Sequence, residues 1–194
     1  MRELEKLRNA IDAYYPIDNE TWNKGESLIT IKDCKKGDIL VKEGDREDKV
    51  YFLLSGISRN YFVANDKEFT IDFHFEGDFV TGYYSLITGE PSLITIELLS
   101  EAKVAILPFN LLKEGYSTSV RAANFGRIIA ELQYVKRLRK EMDLMSLSAE
   151  ERYLKLMSFK PEMSSKISVK HISSYLGIQP ESLSRIRKNH NVKV

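Results

Sequence analysis

The stretch from Ile167 to His190, ISVKHISSYLGIQPESLSRIRKNH, constrains the chain most. It reads as two short helices around a tight turn. Ser168 is suited to cap the first, because its hydroxyl accepts a bond from a helical N–H that has no partner within the helix. Val169, Ile172 and Leu176 then recur at helical spacing. Gly177 follows, where a left-handed residue closes a helix at little cost. Pro180 is placed to open the second helix, whose first N–H is not needed. Leu183 and Ile186 form its inward face and leave Glu181, Ser182, Ser184, Arg185 and Lys188 outward. This is the grammar of a helix-turn-helix, whose second helix lies in the DNA major groove.

From Ser164 to Val194 there are six Lys or Arg and one acid, Glu181, whereas the whole chain carries only +1. Positive charge is concentrated where phosphate contacts would be needed. Arg185 can pair with guanine through two donors, and Glu181 can accept from cytosine N4. Lys170, Arg187 and Lys188 read as phosphate contacts, which position without specifying. With Ser168, Ser182 and Ser184 they complete the candidate DNA-binding set. The competing reading is a solvated basic hairpin. The Gly and Pro punctuation and the outward Glu181-x-x-x-Arg185 favour DNA.

A length of 194 residues permits one large or two small domains, and 43% hydrophobic content supports a sizeable core. The start, MRELEKLRNA, has no apolar core segment, so no secretory signal is expected. No apolar run approaches a membrane span. Cys34 is the only cysteine, which excludes an internal disulfide and a cysteine-ligated iron–sulfur cluster within one chain. It reads as a half-buried strand residue in a protein of the reduced cytoplasm, rather than a redox sensor.

Residues 2–14 form an amphipathic pattern with Leu4, Leu7, Ile11 and Tyr14 on one stripe. Pro16 stops it, and Asp18 can cap a second helix over 19–27, with Trp22 as a packing anchor. From 28 to 108 the pattern turns to β, with strands predicted at 28–33, 39–41, 50–55, 57–64, 68–75, 79–81, 92–98 and 103–107. Asn65-Asp66-Lys67 is a hairpin turn. Asp45-Arg46-Glu47-Asp48 reads as a solvated loop, since the twelve-residue calcium spacing is missing. A short helix is predicted at 85–88 and a brief turn at 109–112.

A long helix is predicted over 116–147. Phe125, Ile128, Leu132, Val135 and Met142 step along it as a seam, interrupted at Arg139. The seam reads as a dimer interface, and the alternative is a helix lying on its own β-domain. Ser148 and Glu151 match a capping box, so a new helix starts there. Tyr153, Leu156 and Met157 form its apolar face, and Pro161 ends it.

In this order the chain resembles a Crp/Fnr family transcription regulator. The resemblance rests on KKGDILVKEGD (35–45), VYFLLSGISRNYF (50–62), EGDFV (76–80), LITGEPS (86–92) and ERYLKLM followed by ISVKHISSYLGIQPESLSRIRK (151–188). The pattern SYLGI-x-PE-x-LSRIRK is similar to that of regulators from Bacteroidetes-type bacteria. The resemblance implies an α+β chain: an N-terminal cyclic-nucleotide-binding-like β jelly roll (1–115), a dimerisation helix (116–147) and a C-terminal winged helix-turn-helix (148–194). The sequence runs to Val194, so the wing is expected to be truncated. The implied partners are double-stranded DNA, a second copy of the chain and RNA polymerase, with no membrane.

Relatives that bind cyclic nucleotides place a carboxylate in a Gly-Glu-Leu segment and an arginine beside Ser or Thr. Here those segments read Gly82-Tyr83-Tyr84 and Pro91-Ser92-Leu93, so Tyr83 stands at the carboxylate position and Ser92 at the arginine position. A phosphate buried without a partner costs far more than a hydrogen bond returns. Cyclic AMP is therefore not expected, and an effector of another kind, aromatic or apolar, would meet Gly82, Tyr83, Tyr84, Ser92 and Leu93. The tyrosines read more readily as core packing than as a ligand box. His74, in IDFHF, reads as a structural or surface residue rather than a haem ligand. No catalytic order, phosphate loop or metal-ligand spacing stands out, and one histidine between 28 and 108 argues against a cupin-like enzyme. The reading is a homodimeric DNA-binding regulator. Its rival is a small-molecule-binding or protein-interaction module whose helix-turn-helix does not bind DNA.

Overall fold

A computed structural model describes residues 2–14 and 16–190. In chain order the elements are α1 (Arg2–Asp12), α2 (Asn19–Glu26), β1 (Thr30–Cys34), β2 (Ile39–Val41), β3 (Lys49–Ser55), β4 (Ser58–Ala64), β5 (Lys67–His74), β6 (Phe79–Val80), α3 (Tyr83–Thr88), β7 (Thr95–Leu98) and β8 (Ala102–Pro108). Six helices follow: α4 (Phe109–Thr118), α5 (Val120–Ser146), α6 (Ala149–Phe159), α7 (Met163–Lys166), α8 (Val169–Leu176) and α9 (Pro180–Asn189). The strands form two four-stranded sheets, ordered β1-β8-β3-β6 and β2-β7-β4-β5. This α+β architecture, a β-sandwich followed by helices, is the one the sequence implies. The truncated wing expected after the second helix of the helix-turn-helix falls on residues outside those described.

Strand β3 shows why the sandwich forms. Its sequence KVYFLLS is apolar almost throughout rather than alternating, the signature of a strand covered on both faces. Val50, Phe52 and Leu54 join Leu7, Ile11 and Trp22 of the N-terminal helices in one core cluster. Tyr51 and Leu53 point the other way, into a second cluster with Val41, Val80, Ile96, Leu98 and Val104. Each such side chain contributes about 1.5–3 kcal/mol when fully buried. Cys34 belongs to that second cluster and is buried rather than half-buried. Burial raises its thiol pKa.

Two turns explain the register. Asn65 and Asp66 have φ of 50° and 59°, the pair of positive angles that suits a two-residue hairpin between β4 and β5. Gly56 has φ of 99°, and a Cβ there would lie 2.5 Å from the Ala102 Cβ, so the β3–β4 turn admits only glycine.

The chain divides into two compact units. One holds Met1–Phe62 and Asp72–Ala130, the other Val63–Ile71 and Glu131–Val194. The tip of the β4–β5 hairpin is thus grouped with the C-terminal helices, a division that differs from breaks after 115 and 147.

The helix predicted over 116–147 is two helices. Ser119 adopts extended backbone between α4 and α5, and its hydroxyl accepts from the Ala122 N–H at 3.4 Å. Serine favours helix ends for this reason, and no proline is needed to make the break. Phe125 is corrected as a seam residue. Its ring packs edge-on against Tyr14 and Phe79, at 6.4 and 6.2 Å, and sits against the first core cluster. Ile128 is half-buried, while Leu132, Val135 and Met142 are exposed. Leu138, also exposed, lies three residues after Val135 and four before Met142, and bridges the gap at Arg139. Among the described residues no helix is long and apolar enough to cross a membrane.

Candidate nucleic-acid interface

The C-terminal helices are built by local chemistry. The Ser148 hydroxyl accepts from the Glu151 N–H at 3.2 Å and the Glu151 carboxylate accepts from the Ser148 N–H at 2.8 Å, a closed capping box that starts α6. Those bonds hold the Glu151 carboxyl below its ordinary pKa. Ser168 caps α8 through the His171 N–H at 3.3 Å. Gly177, at φ 69°, ends α8, and the Ile178 N–H bonds the Ser173 carbonyl at 3.0 Å. Pro180 opens α9 at its first turn. Ile172, Leu176, Leu183, Tyr153, Met163 and Ile167 are each buried, and α8 packs against both α9 and α6.

Arg152 was not singled out in the sequence, yet it ties three helix ends. Its Nε and Nη2 donate to the Leu176 carbonyl at 3.2 and 3.0 Å, and its Nη1 donates to Leu147 at 2.5 Å. A cation at helix C-termini satisfies carbonyls that no residue further along the helix can reach.

On this frame Ser168, Lys170, Glu181, Ser184, Arg185 and Lys188 are exposed, and Ser182 is half-buried. Arg185 Nη2 donates to Ser182 Oγ at 3.3 Å, so the two sit one turn apart on one face. Ser184 turns its hydroxyl back to the Pro180 carbonyl. Lys170 Nζ is 3.5 Å from a carboxylate oxygen of Glu68 on the hairpin tip.

Arg187 is a correction. It is 3% exposed, its guanidinium 6.0 Å from the Tyr153 ring centroid, so it does not face a phosphate. It follows the fully buried Leu183 by four residues and therefore falls on the inward stripe. Its charge alone suggested the opposite.

The cassette residues are spread rather than gathered. Gly82 precedes α3, and a Cβ there would lie 3.2 Å from Ser92 Oγ. Ser92 is buried and donates to the Ile94 carbonyl at 2.8 Å. Tyr83, Tyr84 and Leu93 are exposed, so the tyrosines are not core packing. Glu47, read from sequence as part of a solvated loop, is half-buried instead, with its Cβ 3.6 Å from that same Gly82 position. Its carboxylate accepts from the N–H groups of Asp48 and Lys49, and burial raises its pKa. His74 is buried in β5. Among the described residues no group of three or more His, Cys, Asp and Glu is placed to hold a metal ion.

A cyclic nucleotide-binding domain family model matches residues 31–124. The chain is 26% identical to an anaerobic regulatory protein of Haemophilus influenzae, over 95% of this chain and 69% of that protein. Its fold is similar to a transcriptional regulator of the Crp/Fnr family from Eubacterium rectale, with a TM-score of 0.73 at 19% identity, covering 93% of this chain and 88% of that one. FixK2 from Bradyrhizobium japonicum superposes with a TM-score of 0.70 at 21% identity, over 84% and 85% of the two chains. The c-di-GMP responsive global regulator CLP of Xanthomonas campestris gives 0.65 at 18% identity, over 90% and 92%.

Proposed function

Because the chain belongs to the Crp/Fnr type of transcription regulator, we propose that it acts in the cytoplasm as a homodimer that reads duplex DNA through two copies of α9. The observation that carries this is the joint exposure of Glu181, Arg185 and Lys188 on a helix anchored by the fully buried Leu183. Arg185 and Glu181 are the base readers, and Lys170 and Lys188 hold phosphates. Leu132, Val135, Leu138 and Met142 supply the exposed apolar seam on α5 for the second copy. Two-fold symmetry then sets half-sites about one DNA turn apart. RNA polymerase is the further partner.

The cassette is not built for a cyclic phosphate. Tyr83 and Ser92 replace the charged partners, and an acid, Glu47, stands next to Gly82. An anion placed there would meet like charge in a partly desolvated site. An aromatic or apolar effector suits Tyr83 and Tyr84 better.

Fluorescence anisotropy with duplexes of varied sequence tests the DNA reading. Arg185→Ala is expected to cost about 1–3 kcal/mol at one base position, whereas Lys188→Ala weakens all sequences alike. Equal losses for both variants on specific and random duplexes would overturn the assignment. A strictly monomeric sedimentation profile would overturn the dimer.

A further inference from the structure

Strand β5 is the outer strand of its sheet, and such an edge carries backbone groups with no strand beside them. A helix supplies the missing neighbour here. Ser174 of α8 accepts from the Thr70 N–H at 2.8 Å and donates to the Glu68 carbonyl at 3.0 Å. One hydroxyl therefore fills the position that a strand would fill, and Thr70 is buried beneath it. Lys140 of α5 donates to the Ile71 carbonyl and lies 3.7 Å from the centroid of the Tyr175 ring. The hairpin tip is pinned to the helix-turn-helix within one compact unit.

That pin holds an acid beside a phosphate ligand. Glu68 leads out of the same tip, and its carboxylate is 3.5 Å from Lys170 Nζ. Lys170 remains 70% exposed in its side chain, open to a second anion. We propose that the β4–β5 tip is an autoinhibitory clasp: Glu68 competes with DNA phosphate for Lys170, and Ser174 keeps Glu68 within reach. The proposal rests on the DNA reading of α8 and α9 and adds a residue pair that weakens it in the resting chain. Because the pair is surface-exposed, its effect is modest, about two- to fivefold in affinity.

The test uses the full chain and a random-sequence duplex, since a phosphate contact is indifferent to sequence. Glu68→Gln is expected to tighten binding about two- to fivefold in the wild-type background and to have no effect in the Lys170→Ala background. Ser174→Ala is expected to speed hydrogen exchange at the Thr70 amide and to tighten binding in the same direction as Glu68→Gln. If Glu68→Gln leaves a DNA-binding wild type unchanged, or gains equally without Lys170, the clasp is wrong and the DNA reading stands. Unaltered Thr70 exchange in Ser174→Ala likewise removes the pin. Failure of the wild type and every variant to bind any duplex overturns the DNA reading, and the competition with it.

Discussion

Arg59 and Arg187 are buried to the same extent, each 3% exposed, but the two parts of the molecule treat them differently. Arg59 sits on β4 directly opposite Glu97 of β7, and its Nε and Nη2 donate to one carboxylate oxygen at 2.9 and 2.7 Å. Its guanidinium also lies 4.1 Å from the centroid of the Tyr61 ring. Arg187 on α9 has the Tyr153 ring at 6.0 Å, and its Nε and Nη2 meet no acceptor among the described residues. The Tyr153 hydroxyl is in the same position. A strand presents a partner directly across the ladder, so a buried cation can be matched by one substitution opposite it. The inward stripe of a helix faces side chains from several elements, and here the one beside the guanidinium is the Tyr153 ring. The sandwich neutralises its buried charge, whereas the helical unit carries one against a ring face.

Removing the carboxylate should have the largest effect. Glu97→Ala leaves Arg59 buried and unpaired. Breaking one side of a buried pair costs ~3–5 kcal/mol, and the partial exposure of Glu97 places this case at the lower end. Urea denaturation would measure it, and a loss below that of an ordinary surface substitution would break the contrast. Arg187→Met should act with the opposite sign, raising stability by about 1–3 kcal/mol, because an apolar chain of similar length replaces a poorly compensated charge. A lowered midpoint in that variant would erase the difference between the two sites.

The smallest effect belongs to the capping box. The Glu151 carboxyl is held below its ordinary pKa by the Ser148 N–H, so its contribution is present above the unfolded value and is lost as pH falls through the folded one. Glu151→Gln keeps an acceptor at this place without the charge. The variant should show a shallower loss of helical stability in acid than the wild type, read by far-ultraviolet circular dichroism. Identical acid limbs would mean that the box contributes nothing through its charge.

Much of the fold was legible because its signals are local. Asn65-Asp66 needed only its own backbone angles, and Ser148 with Glu151, Ser168, Gly177 and Pro180 act within one turn of where they stand. The exposed face of α9 was legible for the same reason, through residues spaced around Leu183. Arg187 is deceptive because its charge points outward in a sequence reading, while its four-residue step from Leu183 puts it inside. Leu138 is hidden from a sequence reading because the charged Arg139 stands beside it and breaks the apolar step.

By itself the sequence determined where helices begin and end, which strands are apolar on both faces, and that a basic helix stands near the C-terminus. These depend on hydrogen bonds and side-chain periods that span a few residues. Only the tertiary structure decided that Phe125 serves the β core, that Glu47 lies beside Gly82, and that Ser174 bonds residues about a hundred positions earlier. Such contacts join segments whose distance in the chain carries no trace of their distance in space. Which face of an element is covered depends on what packs over it, and residue type alone does not say.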